Sequence, residues 1–347
     1  MEKTDHTFHY NHNFTLEAGD SLPGFQLKYT TLGRLNPERD NVVWICHALT
    51  GNSDFTDWWK ELFTGNSPFD PSRHFIICAN TLGGCYGSTG PLSINPKTGQ
   101  PYYHDFPTIT HRDVVRAFDL LRQELNFDRV YALVGGSLGG QQVLEWAILQ
   151  PEVFEHIIPI SCNAFHSPWG IAFNEAQRMA IQADPTWKEN DARAGIEGLK
   201  AARAIGMISY RHYDTYGETQ SEKNNEKIDA FRASTYQQYQ GEKLASRFNT
   251  FTYWILSKLM DSHNVARNRG SADEALKKIK AKALVIGIES DILFPIAEQK
   301  YLSQHIPKAK FDAITSIYGH DGFLVELEQI KKLINQYLKK VSVKVLI

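Results

Sequence analysis

The chain of 347 residues contains no apolar segment long enough to cross a membrane. Its best apolar run, residues 283–288, has the length of a strand, whereas a membrane-spanning helix needs about 18 or more apolar residues. Residues 1–10 are polar and rich in histidine, without the apolar stretch of a secretory signal. We therefore expect a cytoplasmic protein that does not act at a membrane.

An excess of charge of either sign is also missing. Lysine and arginine together number 37 and aspartate and glutamate 39, so the formal net charge is -2. Proteins that bind nucleic acid or anionic lipid through their surface field usually carry a basic patch or stripe. The balanced composition gives no such signal, and we expect neither nucleic acid nor a membrane as a partner.

The four cysteines show no C-x-x-C pair and no spacing typical of a disulfide framework. Cys46 and Cys78 lie inside apolar runs, which favours small buried thiols in a reducing compartment. His6, His9 and His12 are spaced so that successive members fall on opposite faces of a strand. We therefore expect neither a disulfide nor a metal site.

Short apolar runs bounded by turn residues predict a parallel sheet. They do not alternate with polar residues, which is typical of strands buried on both faces. Between them, residues 112–125 and 138–149 repeat apolar side chains at helical spacing. Strands that alternate with helices in this way predict an α/β fold in which crossover helices cover the sheet. The predicted strands are residues 42–46, 75–79, 130–134, 157–160 and 284–288.

In a long middle segment, residues 165–265, the alternation of strands and helices stops, and no convincing strand is found. Helical spacing is found in it at residues 176–183, 196–208 and 248–260, so we interpret the segment as a helical lid inserted over the sheet. A capping box from Ser271 to Glu274 then predicts a helix over residues 274–279. The predicted organisation is a core of residues 1–164 and 266–347, with the lid between its two parts.

The sequence GGSLG at residues 135–139 joins a predicted strand to a predicted helix. This is the G-x-S-x-G pattern of a nucleophile elbow, which exposes a serine on a sharp strand-to-helix turn. Glycines are needed at 135 and 139 because side chains there would meet neighbouring backbone. The turn also puts the serine at a helix N-terminus, which stabilises developing negative charge. The motif predicts Ser137 as the nucleophile of an enzyme with the α/β-hydrolase fold.

A serine nucleophile needs a general base, and the base needs a carboxylate to orient it. In this fold the carboxylate and then the histidine follow the serine along the chain. Asp291 stands just after the predicted strand 284–288, and His320 lies in the polar turn YGHDG before a predicted helix. The ordered set predicts Ser137, Asp291 and His320 as catalytic residues, with Asp312 or Glu289 to be considered if Asp291 lies far from His320.

An acyl-transfer site also needs two backbone donors for the oxyanion of the tetrahedral intermediate. The N–H of Leu138, directly after the nucleophile, is the first expected donor. The second should come from the loop HALTGN at residues 47–52, where we select Leu49. Spacing does not distinguish Leu49 from its neighbours, and the alternative is that the loop only terminates a strand.

Longer motifs are dispersed along nearly the whole chain. The most specific is NTLGGCYGSTGP at residues 80–91, followed by PKTGQPY at 96–102 and DFP at 105–107. Further segments are YTTLG (29–33), HALTG (47–51), VLEWA (143–147), DPTW (184–187) and GHDGFL (319–324). With these motifs the sequence closely resembles the homoserine O-acetyltransferase family, whose members have a mostly parallel central sheet, flanking helices and an inserted helical lid.

The resemblance implies a ping-pong reaction. Ser137 would take an acetyl group from acetyl-CoA, CoA would leave, and the side-chain hydroxyl of L-homoserine would attack the acyl-enzyme. The product, O-acetyl-L-homoserine, feeds methionine synthesis. The resemblance also implies that no metal or other cofactor is needed beyond the co-substrate acetyl-CoA, and that two chains form a homodimer through the lid.

Two residues match substrate-binding positions of the family. Arg211, in ISYR at 208–211, would pair with the homoserine carboxylate, to which a planar guanidinium offers two parallel bonds. Asp321, directly after His320, would hold the substrate ammonium. The alternatives are a lid salt bridge for Arg211 and a carboxylate capping the following helix for Asp321.

The chain departs from the family's usual residues at NSD (52–54), at Gln141 and at Tyr103 and His104. These departures leave the catalytic set intact but leave the donor and acceptor open, with succinyl-CoA for acetyl-CoA or serine for homoserine as alternatives. One carbon separates the two acceptors, a difference worth only about 1–3 kcal/mol in a pocket. A serine esterase or thioesterase that uses water as acceptor is the second hypothesis, and a non-catalytic binding module is the third.

Overall fold

The computed structural model describes residues 3–343, and every strand predicted from the apolar runs is present. β5 and β6 have the predicted bounds, whereas β7, β8 and β9 are two or three residues longer. The strands are β1 Thr4–Tyr10, β2 Phe14–Thr15, β3 Ser21–Leu22, β4 Phe25–Gly33, β5 Val42–Cys46, β6 Phe75–Ala79, β7 Val130–Gly136, β8 Phe154–Ile160, β9 Lys282–Ile288 and β10 Ala309–Ile314.

Helices connect and cover these strands, and none within residues 3–343 is long and apolar enough to cross a membrane. They are α1 Phe55–Trp58, α2 His111–Glu124, α3 Leu138–Leu149, α4 Pro168–Gln182, α5 Ile196–Tyr210, α6 Tyr213–Gln220, α7 Arg232–Ala245, α8 Thr250–Asp261, α9 Ala272–Leu276, α10 Ile296–His305, α11 Gly322–Val325 and α12 Leu327–Val343. Short 3-10 turns occupy Lys60–Leu62, Tyr103–Asp105 and Gly319–Asp321.

The main sheet has eight strands in the order β1-β4-β6-β5-β7-β8-β9-β10. All neighbouring pairs from β6 to β10 are parallel, whereas β4 pairs antiparallel with both β1 and β6. The carboxyl ends of the parallel strands meet at one edge of the sheet, where ligands bind in open α/β folds. The loops that follow β5, β7, β9 and β10, which contain the predicted site residues, therefore lie along the same edge.

The central strand β5 is buried on both faces, as its unbroken apolar run predicts. Val43 and Ile45 pack on one face with side chains of α1 and α12, and Trp44 and Cys46 pack on the other with α2 and α3. All four side chains have no exposed surface. Full burial of a large apolar side chain stabilises the folded state by about 1.5–3 kcal/mol. β5 is therefore firmly held, and it supports the site residues that follow it.

The segment predicted as the lid forms helices α4 to α8 between β8 and β9. Its two ends are paired through the backbone. The N–H of His166 donates to the carbonyl of His263, and that of Val265 donates to the carbonyl of Ala164, each at 2.9 Å. The segment therefore leaves the core and returns to it at adjacent points.

The helix after the lid begins earlier and is shorter than the predicted 274–279. The expected capping box is present, with Ser271 accepting from the N–H of Glu274 and Glu274 accepting from the N–H of Ser271. Because Ser271 is the capping residue, the helix begins at Ala272 and Glu274 belongs to its first turn. The predicted bounds were wrong because they placed the helix start at the third helical position.

Candidate active site

Ser137 lies on the turn between β7 and α3 with φ 58° and ψ -125°, which a residue other than glycine rarely adopts. A Cβ on Gly135 would lie 2.4 Å from the carbonyl oxygen of Gly139. A Cβ on Gly139 would lie 2.2 Å from the carbonyl oxygen of Cys46, at the end of β5. Glycine is therefore required at both positions, and the tight turn holds the serine at the start of α3.

Asp291 and His320 are brought together by the loops that follow β9 and β10. Nδ1 of His320 donates to Oδ2 of Asp291 at 2.7 Å, and both side chains are buried. The other carboxylate oxygen, Oδ1, accepts the backbone N–H groups of Leu293 at 2.8 Å and Phe294 at 2.9 Å. Three hydrogen bonds hold the carboxylate in one orientation, and through it they orient the imidazole.

His320 and Ser137 line the same cavity. The ring centroids of Phe294 and Phe323 lie 5.0 and 5.2 Å from that of His320, so the imidazole is packed between aromatic rings. Within residues 3–343, Nε2 of His320 and Oγ of Ser137 make no hydrogen bond, which leaves both available to a substrate. Glu289 is bonded elsewhere, accepting from Oγ1 of Thr315 at 3.1 Å. The structure thus brings the three predicted residues to one site.

The backbone N–H groups of Leu49 and Leu138 have no acceptor in the part of the chain that the structure describes. Leu49 lines the cavity, and Leu138 is the first residue of α3. The loop of Leu49 is held by His47, whose Nδ1 donates to the carbonyl of Ala48 at 2.8 Å and whose Nε2 accepts the N–H of Thr81 at 3.0 Å. Burial lowers the pKa of His47 to about 4, which keeps Nε2 an acceptor. An oxyanion hole requires two backbone N–H groups that are free to donate, and both of the predicted donors meet this condition.

The cavity has a volume of about 160 Å³ and lies between the core and the lid. Its core side includes Ser137, His320 and the loop 48–50. Its lid side is formed by His166, Asn174, Arg203, Ser209, Tyr210, Arg247 and Met260. The cavity at the predicted nucleophile is therefore lined by residues from both parts of the chain.

Arg211 and Asp321, which the family resemblance assigns to the charged ends of an amino acid, lie next to each other. Nε of Arg211 is 3.1 Å from Oδ2 of Asp321, without the geometry of a hydrogen bond. Asp321 lines the cavity, and burial raises the pKa of its carboxyl although the Arg211 charge acts in the opposite direction. Its side chain does not cap α11. Arg211 is not among the residues lining the cavity and packs over Tyr318, so it contacts the site through Asp321.

Sequence reasoning did not select two arginines that line this cavity, Arg203 and Arg247. Arg247 donates to the carbonyl of Thr50 at 2.8 Å and to Oη of Tyr86 at 2.7 Å. Among residues 3–343, neither arginine has a carboxylate within 4.0 Å. No motif marks them, because the lid contains several arginines and lysines and its sequence does not say which of them face the sheet.

Gln141, one of the departures from the family, is fully buried one turn after the nucleophile. Its Oε1 accepts from Nε2 of His111, and its Nε2 donates to Oδ1 of Asn163, each at 3.0 Å. Burial lowers the pKa of His111 well below its usual value, so this ring is a neutral donor. Gln141 does not line the cavity, and its side-chain amide is paired with polar partners behind the site.

Comparisons with known proteins agree with this geometry. A family model described as the alpha/beta hydrolase fold matches residues 41–327. A homoserine O-acetyltransferase of Cyclobacterium marinum is 51% identical over 337 residues, with 97% of this chain and 96% of that protein covered. Another, from Trichormus variabilis, is 43% identical over 346 residues, with 99% and 96% covered.

Among solved structures, the crystal structure of homoserine O-acetyltransferase from Bacillus anthracis has a TM-score of 0.90 and 26% identity. The similarity extends over 97% of this chain and 98% of that one. The sequence comparisons therefore lead to this family along almost the full length, and a solved member of it has the same fold. The chain belongs to the homoserine O-acetyltransferase family of proteins with the α/β-hydrolase fold.

Proposed function

We propose that the protein transfers the acetyl group of acetyl-CoA to the side-chain hydroxyl of L-homoserine, giving O-acetyl-L-homoserine and CoA for methionine biosynthesis. The observation that carries this function is 51% identity to a homoserine O-acetyltransferase along 97% of the chain. An elbow serine and a buried Asp291–His320 pair under a lid supply the matching chemistry. The same residues support an acyl-serine mechanism in two half-reactions.

In the first half-reaction, Nε2 of His320 takes the hydroxyl proton of Ser137 as its oxygen attacks the thioester carbonyl of acetyl-CoA. The tetrahedral oxyanion is stabilised by the N–H groups of Leu49 and Leu138. Collapse breaks the C–S bond, and the proton held by His320 passes to the leaving CoA sulfur. Asp291 keeps Nδ1 protonated throughout and stabilises the imidazolium that forms.

In the second half-reaction, His320 takes the proton of the homoserine hydroxyl as that oxygen attacks the acetyl carbonyl on Ser137. The second tetrahedral intermediate uses the same two N–H groups. Its collapse releases O-acetyl-L-homoserine and returns the proton to Ser137. The family resemblance assigns Asp321, on the cavity wall, to the substrate ammonium and Arg211 to the substrate carboxylate, although Arg211 lies behind Asp321 and outside the cavity lining.

Several wider features belong to the same proposal. The protein is cytoplasmic, needs no metal or other cofactor beyond acetyl-CoA, binds neither nucleic acid nor a membrane, and forms a homodimer through the lid. Exposed apolar side chains on the lid support the dimer, since Trp169, Met179 and Ile208 are 52%, 61% and 54% exposed. Light scattering of the purified protein measures this association directly.

The testing experiment is a steady-state assay of CoA release that combines acetyl-CoA or succinyl-CoA with homoserine, serine or no acceptor. We expect the highest kcat/KM for acetyl-CoA with homoserine, and slow release without an acceptor because the lid limits access of water to the acyl-enzyme. CoA release at one rate with and without an amino acid would make the protein a thioesterase. A preference for succinyl-CoA or serine would correct the donor or acceptor while leaving the mechanism in place.

A further inference from the structure

One N–H group of the proposed oxyanion hole belongs to a loop, residues 47–52, rather than to a helix. This is the N–H of Leu49, which lies in the same planar trans peptide as the carbonyl of Ala48 and points away from it. That carbonyl accepts from Nδ1 of His47 at 2.8 Å and from the N–H of Gly51 at 2.9 Å. The direction of the Leu49 N–H is therefore determined by hydrogen bonds on the opposite side of its peptide.

The lid holds the same loop through Arg247, which lies between α7 and α8. Its Nη1 donates to the carbonyl of Thr50 at 2.8 Å, two peptides after that of Leu49. Among residues 3–343, no other residue of the lid is hydrogen-bonded to residues 47–52. This side chain is therefore the hydrogen-bonded link between the lid and the loop that contains the oxyanion donor.

Arg247 is itself oriented by the segment NTLGGCYGSTGP at residues 80–91. The same Nη1 donates to Oη of Tyr86 at 2.7 Å, so both of its hydrogens are used. The carbonyl of Tyr86 accepts from Nδ2 of Asn80 at 2.8 Å. Oδ1 of Asn80 in turn accepts the N–H of Ser53, directly after the loop, at 2.8 Å. The segment therefore holds both the end of the loop and the arginine that bonds to it.

We propose that Arg247 is a positioning residue for the oxyanion hole, which holds the Thr50 carbonyl and thereby keeps the Leu49 N–H directed at the reacting acyl carbonyl. The inference rests on the proposed function, because both half-reactions of that function pass through a tetrahedral oxyanion. Donors stabilise such a charge without reorganisation only when they already point to it. The contact also makes the hole depend on the lid, since the donor lies in the core and the side chain that fixes its loop lies in the lid.

A phosphate of acetyl-CoA and the carboxylate of the acceptor are two other groups that an exposed arginine in the cavity lining attracts. The hydrogen bonds favour the positioning role, because Arg247 already donates both hydrogens of Nη1 to the protein. The three roles predict different patterns. A phosphate contact affects only acylation by acetyl-CoA, a carboxylate contact affects only transfer to the amino acid, and positioning of the oxyanion hole affects both half-reactions.

Three variants change these contacts by different amounts. Arg247→Met keeps much of the apolar stem and removes both hydrogen bonds, Arg247→Lys keeps a donor for the Thr50 carbonyl, and Tyr86→Phe removes only the contact with Oη. Lys243→Met is the matched control, since Lys243 lies on α7, packs over the ring of Tyr239 and does not line the cavity. Thermal melting first establishes that each variant is folded, which the exposure of Arg247 favours.

Acylation is measured in single turnovers with the protein in excess, from acetyl-CoA and from S-acetyl-N-acetylcysteamine, which has the same thioester bond without the nucleotide. Transfer is measured by chasing the acetyl-enzyme with homoserine. For Arg247→Met we expect all three rate constants to fall by a similar factor of about 5 to 50, less than the factor of about 100 to 1,000 for removal of an oxyanion donor. The homoserine concentration that gives half the maximal rate should stay within about twofold of the wild type.

Arg247→Lys should recover part of each rate, Tyr86→Phe should lose less than Arg247→Met, and Lys243→Met should match the wild type. A fall with acetyl-CoA alone would assign Arg247 to the nucleotide. A fall in transfer alone, or a raised half-saturating concentration of homoserine, would assign it to the acceptor. Unchanged rates in Arg247→Met would show that the core alone holds the hole, and each of these three results overturns the proposal.

Failure of the proposed function is visible separately in the wild-type protein. It would then release no thiol from either thioester in a single turnover, or its acetyl-enzyme would not be discharged faster by homoserine.

Discussion

Replacing Asp291 by asparagine changes one atom of the buried pair and tests how His320 is held. Oδ1 of Asp291 accepts two backbone N–H groups, which an asparagine can satisfy only with its carbonyl oxygen. The amide nitrogen must then face Nδ1 of His320, which now lies 2.7 Å from the carboxylate. Because that nitrogen is a donor, Nδ1 becomes an acceptor and the ring proton moves to Nε2. A protonated Nε2 cannot take the proton of Ser137.

The expected loss is therefore a loss of catalysis more than of folding. The wrong tautomer of a catalytic histidine lowers kcat by about 10⁴, equivalent to about 5.4 kcal/mol at about 1.36 kcal/mol for each factor of ten. The substitution is nearly isosteric and keeps the two backbone bonds. The loss of one charge-assisted bond costs about 1.5–3 kcal/mol of stability, so the variant should remain folded at room temperature.

The assay is stopped-flow release of CoA from acetyl-CoA in a single turnover, with thermal melting of the same samples. Glu289→Gln is the matched control, since it removes a nearby carboxylate that bonds to Thr315 and not to His320. We expect the control to acylate within about twofold of the wild-type rate. An Asp291→Asn variant within about tenfold of the wild type would refute this account of the pair.

Four other outcomes are expected. Ser137→Ala should lose the acetyl adduct seen by mass spectrometry after incubation with acetyl-CoA, with kcat lowered on the order of a millionfold; an adduct at another residue would contradict the mechanism. Arg211→Ala and Asp321→Asn should acylate normally but lose about 10- to 100-fold in transfer to homoserine, measured as a chase of the acetyl-enzyme. Gly139→Ala should lower the melting temperature and slow acylation, because its Cβ would lie 2.2 Å from the Cys46 carbonyl oxygen, at a cost of about 1–3 kcal/mol or more; Gly217→Ala, with nothing within 4 Å, is its control. Stability should fall as the pH drops from about 6.5 toward 4, since burial lowers the pKa of buried histidines that are protonated only on unfolding. Each contributes up to about 1.4 kcal/mol per pH unit there, opposed by Glu298, whose pKa burial raises to about 7. Urea unfolding at several pH values measures this slope, and a flat or rising stability at falling pH would contradict it. The pKa is lowered to about 4 for His47, His156 and His263 and to about 3 for His166. The pKa of His111 also lies well below its usual value.

The central strands were predictable from sequence because burial on both faces leaves an unbroken apolar signal. The outer strands were not. In β1 most side chains are exposed, and β10 alternates half-buried and exposed residues, so neither forms an apolar run. β4, in contrast, is largely buried but carries lysine and threonines among its apolar residues. Pairing with a neighbouring strand, rather than local hydrophobicity, makes these segments strands.

The candidate site likewise contains some residues that the sequence predicted and others that it did not. Ser137, Asp291 and His320 were predictable because each stands at a strand end in an order that the fold imposes. Arg203 was not, since a helical position becomes part of a site only when the helix is packed on the sheet. The contact of Arg211 with Asp321 joins residues 110 positions apart, and sequence spacing carries no information on such a distance.

The paired ends of the lid have a consequence for how the enzyme can be altered. Because the chain departs at Ala164 and returns at Val265 through neighbouring hydrogen bonds, the hundred residues between them form a module that is inserted into the core chain at one point, although its helices also pack on the core elsewhere. The residues assigned to bond making and breaking are encoded outside this module, whereas Arg203, Arg211 and Arg247 are encoded within it. Exchanging the module between relatives that share Arg247 should therefore change which acceptor is chosen while the acyl-serine chemistry stays with the recipient.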